Sequence, residues 1–344
     1  MNRFIKLIYC FLFSTIFGQE VYTEYVIIEA DTLDIFSYQI PSNYESSFSH
    51  PLLVVFHQWG GDESTTFYTN FDEEANSRNW FYLSPFGGSS NNYNHQESQF
   101  MVNQSMKWLL EEYNLDSSRI YMVGGSMGGA SGSIFSNNHL DPNDLMVAAT
   151  ASASGILDCE RRYYEMDGNN SMIEWFGGSP EDVPFEYHRN SAVFFADTTQ
   201  SMHFNLKYVP LYLDFGITEP HRFHAEDLFN LLQGYNQNLW IDTIPTGTHG
   251  FPVIDETHTC EWLSQFVLET NPNIVNVNLD EPGRAYWVEA KNQIRNDLLI
   301  RIECDRMNQN IYSINQFNNS DTLIFHILND TIPSWVQFNN NQYN

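Results

Sequence analysis

Apolar and polar positions change period along the chain, and these changes separate predicted strands from predicted helices. Residues 24–41, EYVIIEADTLDIFSYQIP, alternate at every second position, which predicts an opening antiparallel hairpin. Beyond the hairpin, continuous apolar runs predict buried strands at PLLVVF, WFYLSPFG, RIYMV, VAATASASG, VPLYLDFG and LWIDTIP. Helical stretches separate these runs, so the first part of the chain predicts an α/β fold, a mostly parallel, doubly wound sheet with helices on both faces.

The helical period disappears after NPN at residues 271–273. AYWVEA, DLLIRIECD and DTLIFHILND all alternate as strands, which predicts a small β-rich C-terminal module over residues 272–344. The α/β domain would then span residues 19–271. Within it, the long segment at about residues 158–200 lies between two predicted strands and predicts a cap-like insertion.

The N-terminus has the pattern of a signal peptide over residues 1–18. Basic MNRFIK precedes the apolar run LIYCFLFSTIF, which is too short to span a bilayer comfortably. Cleavage after Gly18 would leave Ile16 at the position where a small residue is usual. We therefore expect a secreted or periplasmic protein, and because no later run approaches membrane-spanning length, we expect no membrane insertion.

Composition narrows the range of partners. The 344 residues include 15 Lys and Arg against 43 Asp and Glu, a formal net charge of −28, which repels phosphate backbones and argues against nucleic acid.

Signal removal would take Cys10 and leave Cys159, Cys260 and Cys304, so at most one disulfide is expected. No cysteine spacing suits a metal, and the pair His221 and His224 in HRFH is weak evidence for one. We expect no metal and no cofactor.

A serine between glycines carries the main chemical signal. In GGSMGG, Gly124 and Gly128 flank Ser126 in the pattern Gly-x-Ser-x-Gly, directly after the strand RIYMV and before a helix. A nucleophile on such a sharp strand-to-helix turn needs small neighbours so that backbone and substrate can approach. The alternative is a glycine-rich turn with an idle serine. We predict that Ser126 is the nucleophile.

A serine nucleophile needs a base, and the base needs a carboxylate that orients it. His249 lies in TGTHGF, directly after the strand LWIDTIP, and is the predicted base. Glu219 lies three residues beyond Gly216 in the loop after VPLYLDFG and is the predicted acid. Asp214, inside that strand, remains the alternative acid.

The developing negative charge on a substrate oxygen needs preorganised donors. One predicted donor is the backbone N–H of Met127 at the helix start. The other comes from HQWGG at residues 57–61, with the Trp59 amide first and that of Gln58 second. His57 is expected to brace this loop. Trp59, Gln58 and Trp175 are candidate substrate contacts, although the cap aromatic residues could equally form the cap's own core.

The segments HQWGG, SSRIYMVGGSMGG, FGGSPEDVPFEYHRNSAVFFA, VPLYLDFGITEP and TGTHGF occur in order from about residue 50 to 265. In these segments the chain resembles the α/β-hydrolase superfamily, and within it the secreted esterases of the polyhydroxybutyrate depolymerase, feruloyl esterase and prolyl-oligopeptidase-like group. The resemblance implies Ser126 as nucleophile, Glu219 as acid, His249 as base, and Trp59 and Met127 as oxyanion donors. Two positions depart from the family pattern: Gln58 replaces a more usual glycine, and Glu219 replaces a more usual aspartate.

The residues together predict a secreted serine esterase that cleaves a small-molecule or polymer-linked carboxylic ester. A serine peptidase is the first alternative, disfavoured because only about 30 mature residues precede PLLVVF, too few for the propeller that gates related peptidases. A non-catalytic binding protein is the second, disfavoured because Ser, acid and His are all present in order. The C-terminal module is a candidate for glycan contact, with simple packing on the catalytic domain as its alternative.

Overall fold

An eight-stranded sheet forms the centre of the molecule, with strand order β1-β2-β4-β3-β5-β6-β7-β8. The computed structural model describes residues 19–168, 170–245, 249–308, 311–327, 335–338 and 341–343, so the predicted signal peptide lies outside the described residues. The strands of this sheet are β1 Tyr22–Ile28, β2 Asp31–Gln39, β3 His50–Phe56, β4 Phe81–Pro85, β5 Leu115–Gly125, β6 Ala149–Ala153, β7 Leu211–Gly216 and β8 Leu239–Ile244. β1–β2 and β2–β4 are antiparallel and all later pairs are parallel, which confirms the predicted α/β architecture.

Helices cover both faces of this sheet because its strands are apolar on both sides. Leu53 and Val55 of β3 pack in one cluster with the helices at residues 71–77 and 256–263, whereas Leu52 and Val54 pack in another with the helix at residues 96–112. This alternation is the period-2 geometry of a strand buried on both faces. The helices are α1 Phe71–Ser77, α2 Gln96–Glu112, α3 Met127–Asn138, α4 Cys159–Glu165, α5 Met172–Phe176, α6 Pro184–Arg189, α7 Arg222–Leu232 and α8 Glu256–Leu263. None of the described helices is long and apolar enough to cross a bilayer.

The cap-like segment contains the three short helices α4, α5 and α6. They follow β6 and join the apolar cluster that also contains Met127, Ala130 and Ile134 of α3. The core of this segment therefore continues into the core around α3, and the segment is fixed against the domain by shared burial.

Two further sheets make up the C-terminal region. One has the order β10-β11-β14 and the other the order β16-β15-β13-β12-β9. Val277, Trp287 and Ile302 lie in the apolar cluster between them. The strands are β9 Ile274–Leu279, β10 Gly283–Ala285, β11 Val288–Gln293, β12 Ile300–Asn308, β13 Ile311–Asn318, β14 Ser320–Phe325, β15 Trp335–Phe338 and β16 Asn341–Tyr343.

This module is joined to the α/β domain by both apolar and polar contacts. Leu140 and Met146 of the domain belong to the module's apolar cluster. The side-chain amide of Asn205 donates to the carbonyl oxygens of Asn137, at 2.6 Å, and Asn278, at 2.7 Å. Asn137 is in the last turn of α3, so the module sits at the end of that helix remote from Ser126.

The described cysteines form no disulfide. Cys159, Cys260 and Cys304 are all free and buried. Burial raises the pKa of each thiol to about 12, so all three remain protonated and unreactive at neutral pH. The sequence allowed one disulfide, and the structure places all three thiols in packed interiors instead.

Candidate active site

Ser126 occupies a strained turn between β5 and α3. Its backbone angles are φ 56° and ψ −119°, a region that non-glycine residues rarely adopt. Three hydrogen bonds hold it there: the Ser126 N–H donates to the Ala153 carbonyl at 2.8 Å, and the Ser126 carbonyl accepts from Ala130 and Ile156. The turn is therefore fixed by its neighbours and presents the Ser126 hydroxyl at the edge of the sheet.

The glycines around Ser126 are required by close approach of backbone segments. A Cβ at Gly124 would lie 2.2 Å from the carbonyl group of Gly128, and a Cβ at Gly128 would lie 2.5 Å from the carbonyl oxygen of Phe56. Neither glycine has a positive φ. Gly124 and Gly128 are therefore needed because a side chain at either position would clash with neighbouring backbone, and not because the backbone there has an unusual conformation.

Ser126, His249 and Glu219 form a continuous hydrogen-bonded chain. His249 Nε2 lies 2.7 Å from Ser126 Oγ, and His249 Nδ1 lies 2.7 Å from Glu219 Oε2. With Nδ1 protonated and donating to the carboxylate, Nε2 is left as an acceptor for the serine hydroxyl. The Glu219 side chain is 1% exposed and that of His249 36%, so the carboxylate is shielded while the imidazole can reach a substrate.

Glu219 reaches His249 from a turn directly after β7. The Glu219 N–H donates to the Gly216 carbonyl at 3.0 Å, which closes the turn. Asp214, the alternative acid, lies within β7 directly opposite Asp242 of β8. Burial, reinforced by the negative charge of Asp242, raises the pKa of Asp214 to about 7. The structure therefore brings Glu219 to His249 Nδ1 and leaves Asp214 outside the chain of hydrogen bonds.

The backbone amides predicted as oxyanion donors lie in the loop after β3 and at the start of α3. In the loop after β3, the Gly60 N–H donates to the Ser90 carbonyl and the Gly61 N–H donates to the Gln58 carbonyl. The Trp59 N–H has no acceptor among the described residues. Met127 is the first residue of α3, where an N–H has no intrahelical partner. Met127 and Trp59 are the positions predicted as oxyanion donors, and the Gln58 N–H, the second candidate in this loop, likewise has no acceptor among the described residues.

His57 and Gln58 hold this loop in place. Both His57 ring nitrogens lie 2.9 Å from backbone oxygens, those of Gln58 and Phe86, and the residue is buried. Gln58 Oε1 accepts from the Phe251 N–H at 2.9 Å. A Cβ at Gly250 would lie 1.9 Å from that oxygen. Gln58 was predicted as a substrate contact, but its side chain is engaged with the loop that follows His249.

Trp59 forms an exposed aromatic surface at the rim of the site. Its side chain is 58% exposed, and its indole N–H donates to Ser171 Oγ at 3.4 Å. Trp175 is less available because its indole N–H donates to Asn91 Oδ1 at 3.1 Å and its ring packs edge-on against His95. Of the two tryptophans predicted to contact substrate, Trp59 has the open face.

The other cap aromatic residues divide between the core and the surface. Phe176 is buried in the cluster shared with α3, and Tyr163 packs against that cluster. Tyr164 is exposed and donates from its hydroxyl to Glu181 Oε1 at 2.8 Å. Phe176 and Tyr163 therefore support the cap's own packing, the structural alternative that the sequence left open.

A charged cluster next to His249 was not anticipated from the sequence. Glu165 Oε2 lies 3.0 Å from His221 Nδ1 and 3.4 Å from His224 Nε2. Burial opposes ionisation of Glu165, but hydrogen bonds from both imidazoles hold the pKa of its carboxyl well below the ordinary value. The His221 ring packs edge-on against the His249 ring, with centroids 5.4 Å apart. Glu165 is distant in sequence, so no local pattern signals this cluster.

His221 and His224 do not form a metal site with other described residues. His224 is fully buried and its Nδ1 accepts from the Leu157 and Asp158 amides, at 3.1 and 3.2 Å. Its pKa is lowered by burial, which favours the neutral imidazole required for that acceptor role. Throughout the described ranges, no group of three or more His, Cys, Asp or Glu side chains is placed to hold a metal ion.

Solved structures with the same fold include esterases and peptidases. An S-formylglutathione hydrolase from Agrobacterium tumefaciens aligns with a TM-score of 0.57 at 12% identity, over 73% of this chain and 97% of the other. A truncated carbohydrate esterase from gut microbiota gives 0.57 at 13%, over 72% and 95%. The acylaminoacyl peptidase of Pyrococcus horikoshii gives 0.54 at 16%, over 72% and 40%. No protein-family model and no curated protein matches the sequence. The chain has the α/β-hydrolase fold, as the resemblance implied.

Replacing each candidate acid separately distinguishes their roles. Glu219→Gln should lower kcat by roughly three to four orders of magnitude, because the amide cannot stabilise the imidazolium and favours the wrong His249 tautomer. Asp214→Asn should leave kcat nearly unchanged. Steady-state kinetics on p-nitrophenyl acetate measures both. Loss of activity in Asp214→Asn with retention in Glu219→Gln would reverse the assignment.

The same Asp214→Asn variant should change how stability depends on pH. The raised pKa of Asp214 means that the folded protein binds this proton more tightly than the unfolded chain does, so the associated stability is complete below the ordinary value of 3.8 and is lost as pH rises through about 7. Asparagine cannot ionise. The Tm of the variant should therefore exceed that of the wild type by more at pH 8 than at pH 5, and equal differences at both would contradict the shift.

Gln58→Met tests whether the Gln58 side chain positions the site. Methionine keeps the volume but removes the oxygen that accepts from Phe251, so the loop carrying His249 should lose its anchor to the oxyanion loop. We expect kcat to fall about tenfold with little change in KM, because small misplacements of reacting groups are costly. If KM rose at constant kcat, Gln58 would instead be a direct substrate contact.

Proposed function

We propose that this chain is a serine hydrolase that cleaves carboxylic esters through an acyl-enzyme on Ser126. The observation that carries the proposal is the hydrogen-bonded chain from Ser126 Oγ through His249 to Glu219, with both contacts at 2.7 Å. A structural role alone does not account for a serine held at φ 56° with its hydroxyl on an imidazole.

Acylation would begin with attack of Ser126 Oγ on the ester carbonyl. His249 Nε2 takes the hydroxyl proton, and the resulting imidazolium is stabilised by the Glu219 carboxylate at Nδ1. The Met127 and Trp59 N–H groups face the oxygen on which negative charge develops. Collapse of the tetrahedral intermediate passes the proton from His249 to the departing alkoxide, leaving the acyl group on Ser126.

Deacylation would repeat these steps with water as the nucleophile. His249 removes a proton from the water as it attacks the acyl carbonyl, and then returns a proton to Ser126 Oγ when the acid leaves. The 36% exposure of the His249 side chain is consistent with access for that water. The buried Glu219 keeps the same orienting role in both halves.

The extent to which the similar solved structures align supports ester cleavage over peptide cleavage. The S-formylglutathione hydrolase and the carbohydrate esterase align over at least 95% of their own lengths, whereas the acylaminoacyl peptidase aligns over 40% of its length. Because the peptidase aligns with a similar TM-score, peptide hydrolysis remains the second candidate function. The exposed indole of Trp59 suits an apolar or aromatic group on either side of the scissile bond.

The predicted signal peptide at residues 1–18 supports action outside the cytoplasm. A secreted or periplasmic enzyme would meet esters attached to polymers as well as small soluble ones. The open rim at Trp59 is compatible with both kinds of substrate.

Ser126→Ala should abolish ester turnover because no other described side chain occupies the nucleophile position. The variant is assayed with p-nitrophenyl acetate, and we expect a loss of at least about three orders of magnitude in kcat. Ser133→Ala is the matched control, since Ser133 is a buried serine of α3 that donates to the Gly129 carbonyl. Full activity in Ser126→Ala would remove Ser126 as nucleophile.

A substrate panel separates the two candidate reactions. Acetylated sugars, feruloyl esters, short polyesters and N-acyl peptides are offered to the wild type and to Ser126→Ala. We expect Ser126-dependent release of acid from one or more of the esters and much slower cleavage of the peptides. Preferential cleavage of the peptides would favour the peptidase function.

A further inference from the structure

A cleft separates the α/β domain from the five-stranded sheet of the C-terminal module. Its volume is about 390 Å³, within the range of roughly 300–1,000 Å³ typical of small-molecule sites. Gln200 and Phe204 line it from the domain side. Arg301 of β12 and Gln316 and Asn318 of β13 line it from the module side. Neither the ester chemistry nor the packing of the module accounts for this space.

The residues on the module side share one face of the sheet. Arg301 pairs directly with Asn318 and Glu303 pairs with Gln316 across β12 and β13, and Arg301 pairs with Asn278 on β9. Side chains of paired residues point to the same face. The opposite face carries the module's apolar core, including Ile302. The cleft is therefore bounded by a polar sheet face rich in amide side chains.

Part of this surface is rigidly built. The Arg301 guanidinium lies over the Phe204 ring, 3.9 Å from its centroid, and Nη1 donates to the Val277 carbonyl at 3.2 Å. Gln200 Oε1 accepts from the Leu299 N–H at 3.2 Å. The contacts of Phe204 with Arg301 and of Gln200 with Leu299 join the domain side of the cleft to the module side.

Other polar groups in the cleft are unused. Gln316 accepts from Arg301 through Oε1, at 3.4 Å, and its side-chain N–H groups have no acceptor among the described residues. The amide of Asn318 has no hydrogen-bond partner within the described part of the chain, and both residues are exposed. Gln316 therefore offers two N–H donors to a ligand, and Asn318 offers two donors and an acceptor.

The charge of the cleft differs from that of the protein as a whole. The chain carries a formal net charge of −28, yet none of the described lining residues is acidic and Arg301 is the one basic lining residue. Glu303, on the same sheet face, lies 3.6 Å from Arg301 Nη2, so the charge of Arg301 is paired and the cleft is close to neutral. Exposed amides around a close-to-neutral cleft suit an uncharged ligand with many hydroxyl groups, which can both donate to and accept from them.

We infer that this cleft binds a polysaccharide chain at a site separate from the catalytic residues. The length of α3 separates them, because Asn205 connects Asn137, at the end of α3 remote from Ser126, to Asn278 of the module. The helix alone spans about 16 Å between Ser126 and Asn137 at the rise of an α-helix. A bound chain would be held near the catalytic domain and raise the local concentration of esters attached to it.

Native affinity electrophoresis of the full chain tests binding directly. Gels containing arabinoxylan, barley β-glucan, soluble starch or polygalacturonate are compared with a gel without polysaccharide, using Ser126→Ala to prevent turnover. We expect at least one polysaccharide to retard the protein. Replacing Gln316 and Asn318 together by Ala should remove at least half of that retardation. Absence of retardation on all four gels would overturn the inference.

Asn315→Ala is the matched control, since Asn315 is an exposed amide of β13 that does not line the cleft and whose side chain is already engaged, donating to Asp305 Oδ2 at 2.9 Å and accepting from Ser313 Oγ at 3.1 Å. It should bind as Ser126→Ala alone does. Arg301→Lys, which keeps the charge but loses the planar stack on Phe204, is a second test and should also weaken retardation. Equal retardation of all these variants would show that the polysaccharide binds outside this cleft and would overturn the inference.

The consequence for catalysis rests on the proposed ester hydrolysis and is measured separately. In otherwise wild-type protein, Gln316→Ala with Asn318→Ala should lower the release of acid from the retarding polysaccharide in esterified form several-fold and leave p-nitrophenyl acetate turnover unchanged. Binding without any ester turnover would contradict the proposed function and leave the cleft intact as a binding site. Turnover without binding would contradict the cleft as a binding site and leave the proposed function intact.

Discussion

The contact between Ser126 Oγ and His249 Nε2 depends on several strand ends meeting at one edge of a single sheet. Ser126 follows β5, Glu219 follows β7 and His249 follows β8. Because these strands are parallel, their carboxyl ends lie together although the serine and histidine are 123 residues apart. The strained turn at Ser126 then decides where the hydroxyl points. The strand order and the backbone conformation of Ser126 thus determine where Ser126, Glu219 and His249 lie relative to one another.

Other parts of the structure act on this arrangement through a small number of contacts. Gln58 connects the loop after β3 to the backbone after His249, and the Trp59 indole connects the same loop to Ser171 of the cap. The cap in turn shares an apolar core with α3. The cap therefore contacts both segments that contain the predicted oxyanion donors, Trp59 directly and Met127 through the shared core.

Much of the fold was predictable from the sequence because its signals are local. Continuous apolar runs separated by helical stretches predicted the parallel sheet, and the loss of helical period after residue 271 predicted the later strands. Ser126, Glu219 and His249 could be selected as candidates because each comes shortly after a predicted strand, in the order serine, acid, histidine. Asp214 stayed open as the acid because a residue inside a strand can face either side, and only the structure shows that it faces Asp242. The directions of Gln58 and Trp175 and the cluster at Glu165 were not predictable, because they depend on contacts between segments distant in sequence.

The central claim is that Ser126 carries the acyl group during turnover. Rapid mixing with p-nitrophenyl acetate followed by acid quench and peptide mass spectrometry measures this directly. We expect an acetyl group on the peptide that contains Ser126, appearing with the first burst of p-nitrophenol and absent from Ser126→Ala. Burst turnover with the acetyl group on another residue, or with no acylated peptide in the quenched wild-type enzyme, would contradict the mechanism.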